Sequence, residues 1–281
     1  PTLFIANSNL EAKKVYNELC FYTKDKVEYL GSDEIYFYHL DAKDRNEEAK
    51  KLRVLLKLAK KQKTIVVTSV DAILRKYIPK NVLLDNIYTY KIGDIIDLEE
   101  LSQKLVRLGY ERVSRIEGLG QFSIRGGIID IYSLEYTNPI RIELFDDEID
   151  SIRTFDVFSQ KSIEKIKKVV ITPSREFIYP EDTTSAVEKI QLETNQYTDD
   201  DVFNNIENIV QKTYFQGVEN YIDYLYEENN KSIFNYLPDN AIVVINDISR
   251  LKERCENFVN EFTDNFNLNL ERGLARKNQG N

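Results

Sequence analysis

Along the first eighty residues the hydrophobic positions change period repeatedly. Thr2-Leu3-Phe4-Ile5-Ala6 is a short apolar run that predicts a buried strand. Ser8 and Glu11 stand at the spacing of a capping box, and Ala12, Val15, Tyr16 and Leu19 follow at helical spacing, so a helix with one apolar face is expected. A second helix is expected from Glu47 to Lys61, with Ala49, Leu52, Leu55, Leu56 and Ala59 facing inward. The run from Thr64 to Thr68 predicts another strand, and Ser69 the cap of a short helix ending before Pro79. Strand and helix in alternation predict a parallel sheet covered by helices.

The period then shortens. Asp97 and Glu100 open a helix carrying Leu98, Leu101, Leu105 and Leu108, which Gly109 stops. After it, alternating runs predict strands at Arg112–Glu117, Gln121–Arg125, Gly127–Tyr132, Ile140–Phe145 and Glu148–Arg153. Turn residues separate them at Gly118-Leu119-Gly120, Asn138-Pro139 and Asp146-Asp147. Residues 88–171 are therefore expected to form a small antiparallel module, rich in β and of α+β type, inserted in an α/β framework. From Lys168 the α/β pattern is expected to return, with a strand at Val169-Val170-Ile171, helical segments from Asp182 to Glu228, and an apolar strand at Ala241–Ile245. Asp247 caps a helix carrying Leu251, and the polar end from Arg272 to Asn281 is expected to fray.

Composition narrows the function. With 42% hydrophobic and 30% charged residues, the 281-residue chain is expected to fold. Its 38 Lys and Arg against 47 Asp and Glu, a net charge of −9, argue against a general electrostatic grip on nucleic acid. No apolar run reaches the roughly 18 residues of a membrane span, and no basic-then-apolar leader is visible. Cys20 and Cys255 are too few for a disulfide framework, so a reducing cytoplasm is expected, with both as small buried apolar residues. Methionine is absent even at the first position, where Pro1 stands; a processed chain or a piece of a longer one is expected.

Enzyme motifs are sparse. His39 is the sole histidine, and the cysteines make no zinc motif. Asp146, Asp147 and Glu148 cluster carboxylates where a turn is expected, and Asp199-Asp200-Asp201 reads as a solvated loop or a helix start. There is no Gly-x-x-x-x-Gly-Lys phosphate loop. Gly118-Leu119-Gly120 has Ser123 where a dinucleotide fingerprint needs Gly, and reads as a turn. The strand at Ala241–Ile245 ends in Asn246-Asp247, where P-loop ATPases carry Asp-Glu; an ordinary strand-to-helix connection and a relic of nucleotide chemistry are both open. Arg125 and Arg141 fall in apolar strands, where a charge is expensive unless it meets a wet face or a partner. Alternation puts Ser123 and Arg125 on one face of their strand, and Arg141, Glu143 and Phe145 together on one face of theirs. That face is either solvated and laced with Arg–Glu pairs, or it has the composition of a protein-docking hot spot.

The runs from Gly120 to Tyr132, from Pro139 to Asp156 and from Ser159 to Ser162 resemble the N-terminal UvrB-homology region of the bacterial transcription-repair coupling factor (Mfd) family. The resemblance reaches both flanks, through Thr2–Ala6, Ile65–Leu74, Gly217–Tyr221 and Tyr236–Asp239, and so covers essentially the whole chain. It implies a degenerate RecA-like, P-loop-like two-lobe α/β fold, with lobes at 1–87 and 172–281 and a UvrA-binding module at 88–171 between them. It implies recruitment of the excision-repair protein UvrA to stalled RNA polymerase, with Arg125, Arg141 and Phe145 as the contacts. No catalytic residue, metal or cofactor is expected in this chain; ATP and Mg²⁺ belong to the translocase domains of the parent, which with the polymerase- and DNA-binding parts lie C-terminal. The resemblance also implies that in the resting parent the same surface is held against the C-terminal end. The isolated chain is expected to be a monomer with no membrane contact. The alternative is a lobe of a UvrB-like ATP-dependent helicase that loads on damaged DNA. Against it, Asn246-Asp247 replaces Asp-Glu, and the stretch from Tyr29 to Arg53 is short for a DNA-clamping hairpin.

Overall fold

The computed structural model describes residues 1–32, 45–193, 200–215, 217–226 and 230–271. In chain order the elements are β1 (Thr2–Ala6), α1 (Asn9–Tyr22), β2 (Val27–Leu30), α2 (Arg45–Ala59), β3 (Ile65–Ser69), α3 (Val70–Ile73), α4 (Lys80–Asp85), β4 (Tyr88–Lys91), α5 (Leu98–Arg107), β5 (Glu111–Arg112), β6 (Gln121–Arg125), β7 (Ile128–Ile131), β8 (Ile140–Phe145), β9 (Glu148–Phe155), β10 (Ser162–Ile166) and β11 (Lys168–Ile171). They continue as α6 (Thr184–Glu193), α7 (Asp200–Val210), α8 (Ile222–Leu225), β12 (Ile242–Ile245) and α9 (Ile248–Glu271). Two compact units result: one from the described residues of Pro1–Lys43, Val54–Lys80 and Tyr179–Asn281, the other from those of Asp44–Arg53 and Asn81–Ile178. The class is mixed α/β. No helix among the described residues is long and apolar enough to cross a membrane.

In the first unit four strands pair in the order β12-β1-β3-β2, all parallel. A parallel strand flanked on both edges must be apolar on both faces, and β1 meets this with Leu3, Ile5 and Ala6 buried. Ala12 of α1 is buried, and Val15, Tyr16 and Leu19 pack on the same cluster as Ala6 and Val67, as the spacing predicts. The capping box forms only in half. Ser8 Oγ accepts from the Glu11 N–H at 3.2 Å, but the Glu11 carboxylate accepts from the Asn7 N–H rather than that of Ser8. At the other edge of the sheet, β12 is apolar throughout yet exposed, because only β1 flanks it among the described residues. Asp247 caps α9 as predicted, its Oδ1 accepting from the N–H groups of Ser249 and Arg250.

The second unit is built on a six-stranded sheet, β10-β9-β8-β7-β6-β5. One face of it is apolar. Phe122, Ile129, Ile131, Ile140, Ile142 and Ile152 cluster there with Leu101, Leu105 and Leu108 at the α5 end of the core. Asp97 caps α5 by accepting from the N–H groups of Glu99 and Glu100, and Gly109 takes a φ of +85° just past its end, which favours a residue without a Cβ. The predicted strand at Arg112–Glu117 shrinks to β5, and it runs parallel to β6. Only the short stretch from Val113 to Gly120 separates these two parallel strands. The chain must spend it on the return, and the Gln121 side chain takes up the N–H groups of Glu117 and Gly118. β11, read from sequence as the resumption of the α/β alternation, pairs antiparallel with β4, and Val169 and Ile171 join the same core as α5. A Leu105→Ala substitution is expected to cost about 2–5 kcal/mol by opening a cavity under α5; urea unfolding that keeps its midpoint would show that this side chain is not in the core.

Candidate protein-binding site

The antiparallel ladder decides which side chains meet. Ser123, Asp130, Arg141 and Arg153 are mutual partners across β6, β7, β8 and β9, and Ile124, Ile129, Ile142 and Ile152 form the adjacent row. Directly opposed residues share a face, so the isoleucine row lies on the core side and the charged row on the other. The β6–β7 turn allows this close register. Gly126 has a φ of +59°, and a Cβ on Gly127 would stand 3.1 Å from the Leu144 carbonyl oxygen.

Asp130 is the centre of the charged row, with its side chain only 2% exposed. Arg141 donates to it twice, from Nε to Oδ1 at 2.6 Å and from Nη2 to Oδ2 at 2.8 Å. Arg125 donates to the same Oδ2 from Nη2, also at 2.8 Å. Arg141 continues to Gln160 Oε1 at 2.9 Å, and its guanidinium lies 4.4 Å from the centre of the buried Phe155 ring. These partners leave Arg141 only 14% exposed, whereas Arg125 is 50% exposed. Phe145, at the end of β8, is 80% exposed. The three predicted residues are thus on one face. Arg125 and Phe145 face solvent, and Arg141 is mostly enclosed.

Arg–Glu pairing exists here too, between Glu143 and Arg153, with Arg153 Nη1 donating to Glu143 Oε2 at 2.6 Å and Ser151 Oγ donating at 2.8 Å. Partial burial would raise the Glu143 carboxyl, but the hydrogen bonds from Arg153 and Ser151 outweigh it and hold the group below the usual carboxylate range. Asp130 and Gln160 were not singled out from the sequence. The signal for Asp130 is a single carboxylate among Ile128, Ile129 and Ile131, the only acid in an apolar strand beside two arginine-bearing strands. Gln160 gives no such signal, since its role depends on a turn in which it takes a φ of +60°.

The other candidates separate. His39 and Asp199 lie outside the described residues; Asp200 opens α7. Asp146, with a φ of +60°, and Asp147 make the β8–β9 turn, and Glu148 starts β9. No group of three potential metal ligands occurs among the described residues. Gly118-Leu119-Gly120 is a turn leading into β6. The cysteines correct an expectation: Cys20 is exposed near the end of α1, and Cys255 is only partly buried because α9, on whose packed stripe it lies with Leu251 and Phe258, is covered only in part. At the end of β12, Asn246 Nδ2 donates to Glu11 Oε1 at 2.5 Å. Position 246 thus supplies a neutral amide committed to Glu11 rather than a carboxylate that could hold Mg²⁺.

A sheet with an isoleucine-lined inner face and an arginine-bearing outer one, preceded by a single capped helix, spans the segment that matches a known domain. Residues 89–177 match the family model of the UvrB interaction domain. Over its whole length the chain is similar to transcription-repair-coupling factors. It is 32% identical to that of Bacillus subtilis over 97% of this chain and 24% of the relative. It is 29% identical to that of Staphylococcus epidermidis over 99% of this chain and 25% of the relative, and 29% identical to that of Staphylococcus aureus over 94% and 24%. The chain therefore spans about a quarter of the length of these relatives. The resemblance to the N-terminal region of the coupling-factor family is borne out by these matches.

Asp130→Ala is expected to cost about 3–5 kcal/mol, because two guanidinium groups would lose their shared carboxylate, one of them enclosed. Arg125→Ala is expected to cost far less; equal losses in urea unfolding would show that Asp130 is not the centre of the network. Glu143 sets a pH dependence. Its folded pKa is depressed, so its contribution is complete above the unfolded value of about 4.3 and is lost as pH falls through the lower folded value. Glu143→Gln is expected to flatten stability against pH in that acid window, and an unchanged slope would refute it.

Proposed function

We propose that the outer face of the six-stranded sheet binds UvrA, and that this chain is a recruitment module without catalysis of its own. The observation that carries the reading is the pairing of a solvent-facing guanidinium, Arg125, with an 80% exposed phenylalanine, Phe145, on one face. A half-free guanidinium suits a bidentate bond to a carboxylate, and an exposed aromatic suits an apolar pocket. Arg141 contributes its uncovered edge and holds Asp130, which in turn aims Arg125. The match to a UvrB interaction domain and the similarity to coupling factors support UvrA as the partner.

The first unit fits the degenerate RecA-like framework in this reading. Its four parallel strands support that assignment, and the Asn246–Glu11 bond supports a site that has given up nucleotide chemistry. Binding would need no cofactor. RNA polymerase, DNA and ATP would be handled by C-terminal domains of a longer cytoplasmic parent, whose C-terminal end would cover the same face at rest, and the chain itself would be a monomer. A UvrB-like ATPase lobe is the second reading; DNA-stimulated ATP turnover by the chain alone would favour it.

Calorimetry of the chain with UvrA, without added nucleotide or Mg²⁺, tests the proposal. Arg125→Ala and Phe145→Ala are each expected to weaken binding at least about tenfold, a loss of about 1.4 kcal/mol. If both variants bind as the parent chain does, the face is not the site.

A further inference from the structure

The Phe145 end of the sheet continues beyond β8 and β9. Between β4 and α5 the chain returns to the sheet edge, where Ile95 pairs antiparallel with Glu148, the residue that also pairs with Phe145. Two hydrogen bonds fix that register: Ile96 N–H to the Asp147 carbonyl at 2.8 Å, and Ile149 N–H to the Asp94 carbonyl at 2.9 Å. Opposed residues in antiparallel pairs lie on one face, so Phe145, Glu148 and Ile95 form one row. The two apolar members stand about 10 Å apart at the spacing of alternate strands. Ile95 is 71% exposed, although Ile96 beside it is buried in the core. A large aliphatic side chain left in water, one strand beyond Glu148 from an exposed phenylalanine, gives this end of the face a second apolar point. Around it stand the carboxylates of Asp94, Asp146, Asp147 and Glu148, all at the same end of the sheet.

We propose that Ile95 is a second apolar anchor for UvrA, in the same row as Phe145. The proposal rests on the UvrA-binding reading above and specifies the partner surface. Opposite this end, UvrA would present an apolar patch rimmed by Lys or Arg to match the surrounding carboxylates. Opposite Arg125 it would present a carboxylate. The docking face thus carries a basic centre and an acidic, apolar-cored end, which fixes the direction in which the partner lies along the sheet.

The test is a double-mutant cycle in UvrA binding with Ile95→Asp, Ile95→Ala and Phe145→Ala. Retained unfolding midpoints confirm that the exposed substitutions leave the fold intact. Ile95→Asp is expected to weaken binding at least about tenfold, and the Ile95→Ala and Phe145→Ala losses to be close to additive, because the two anchors stand about 10 Å apart. Asp147→Asn is expected to slow association at low salt and to have little effect at high salt. If Arg125→Ala weakens binding but Ile95→Asp does not, Ile95 is outside the interface while the UvrA reading stands. If the parent chain does not bind UvrA, both fall. If Ile95→Asp converts a self-associated chain to a monomer in sedimentation, the patch is covered by a second copy and the proposal is overturned.

Discussion

The Asp130 carboxylate sits inside a sheet of isoleucines, almost wholly out of water, and the outer face of the second unit is organised around that fact. An isolated buried charge would cost several kcal/mol. Asp130 is tolerated because Arg141 meets it with two donors and Arg125 with a third. The arrangement is asymmetric. Arg141 is also held by Gln160 and by the Phe155 ring, and so behaves as part of the sheet. Arg125 is tied by a single bond and keeps half its surface in water, so it remains available to a partner at little cost in ordering, its position already set by the carboxylate behind it.

Across β6 to β9 the inner face of the same sheet carries no such charge. Ile124, Ile129, Ile142 and Ile152 form a continuous row one residue out of step with Ser123, Asp130, Arg141 and Arg153. A slip of one residue in any pairing would bury the arginines and expose the isoleucines. The apolar core under α5 and the polar network outside therefore enforce the same register. The short β8–β9 turn at Asp146 then places Phe145 at the end of the face, where no element among the described residues covers it.

In the first unit a carboxylate is satisfied by amide groups instead. Glu11 accepts from Asn7 and from Asn246, and so ties the start of α1 to the end of β12. An amide at 246 satisfies a carboxylate that an acid there would repel. Glu11 thus spends one oxygen on Asn246 and the other on the Asn7 N–H, and the Ser8–Glu11 capping box stays half formed.

Much of this is legible in the order of residues. The strands at Gln121–Arg125 and Ile140–Phe145, the cap at Asp97, the helix stop at Gly109 and the inward stripe of α2 follow from period, caps and turn residues, all set over a few neighbouring positions. Alternation alone also put Arg141, Glu143 and Phe145 on one face and exposed the phenylalanine. What it did not reveal depends on residues far apart in sequence. The pairing of β11 with β4 turned an apparent α/β strand into part of the second unit's core. The enclosure of Arg141 required Asp130 to arrive from another strand and Gln160 from a turn. The row that joins Ile95 to Phe145 exists only because a loop fifty residues earlier docks on Glu148. Local chemistry is written in the sequence because it acts between neighbours; which arginine is held and which is offered was decided by cross-strand register, and that is a property of the folded sheet alone.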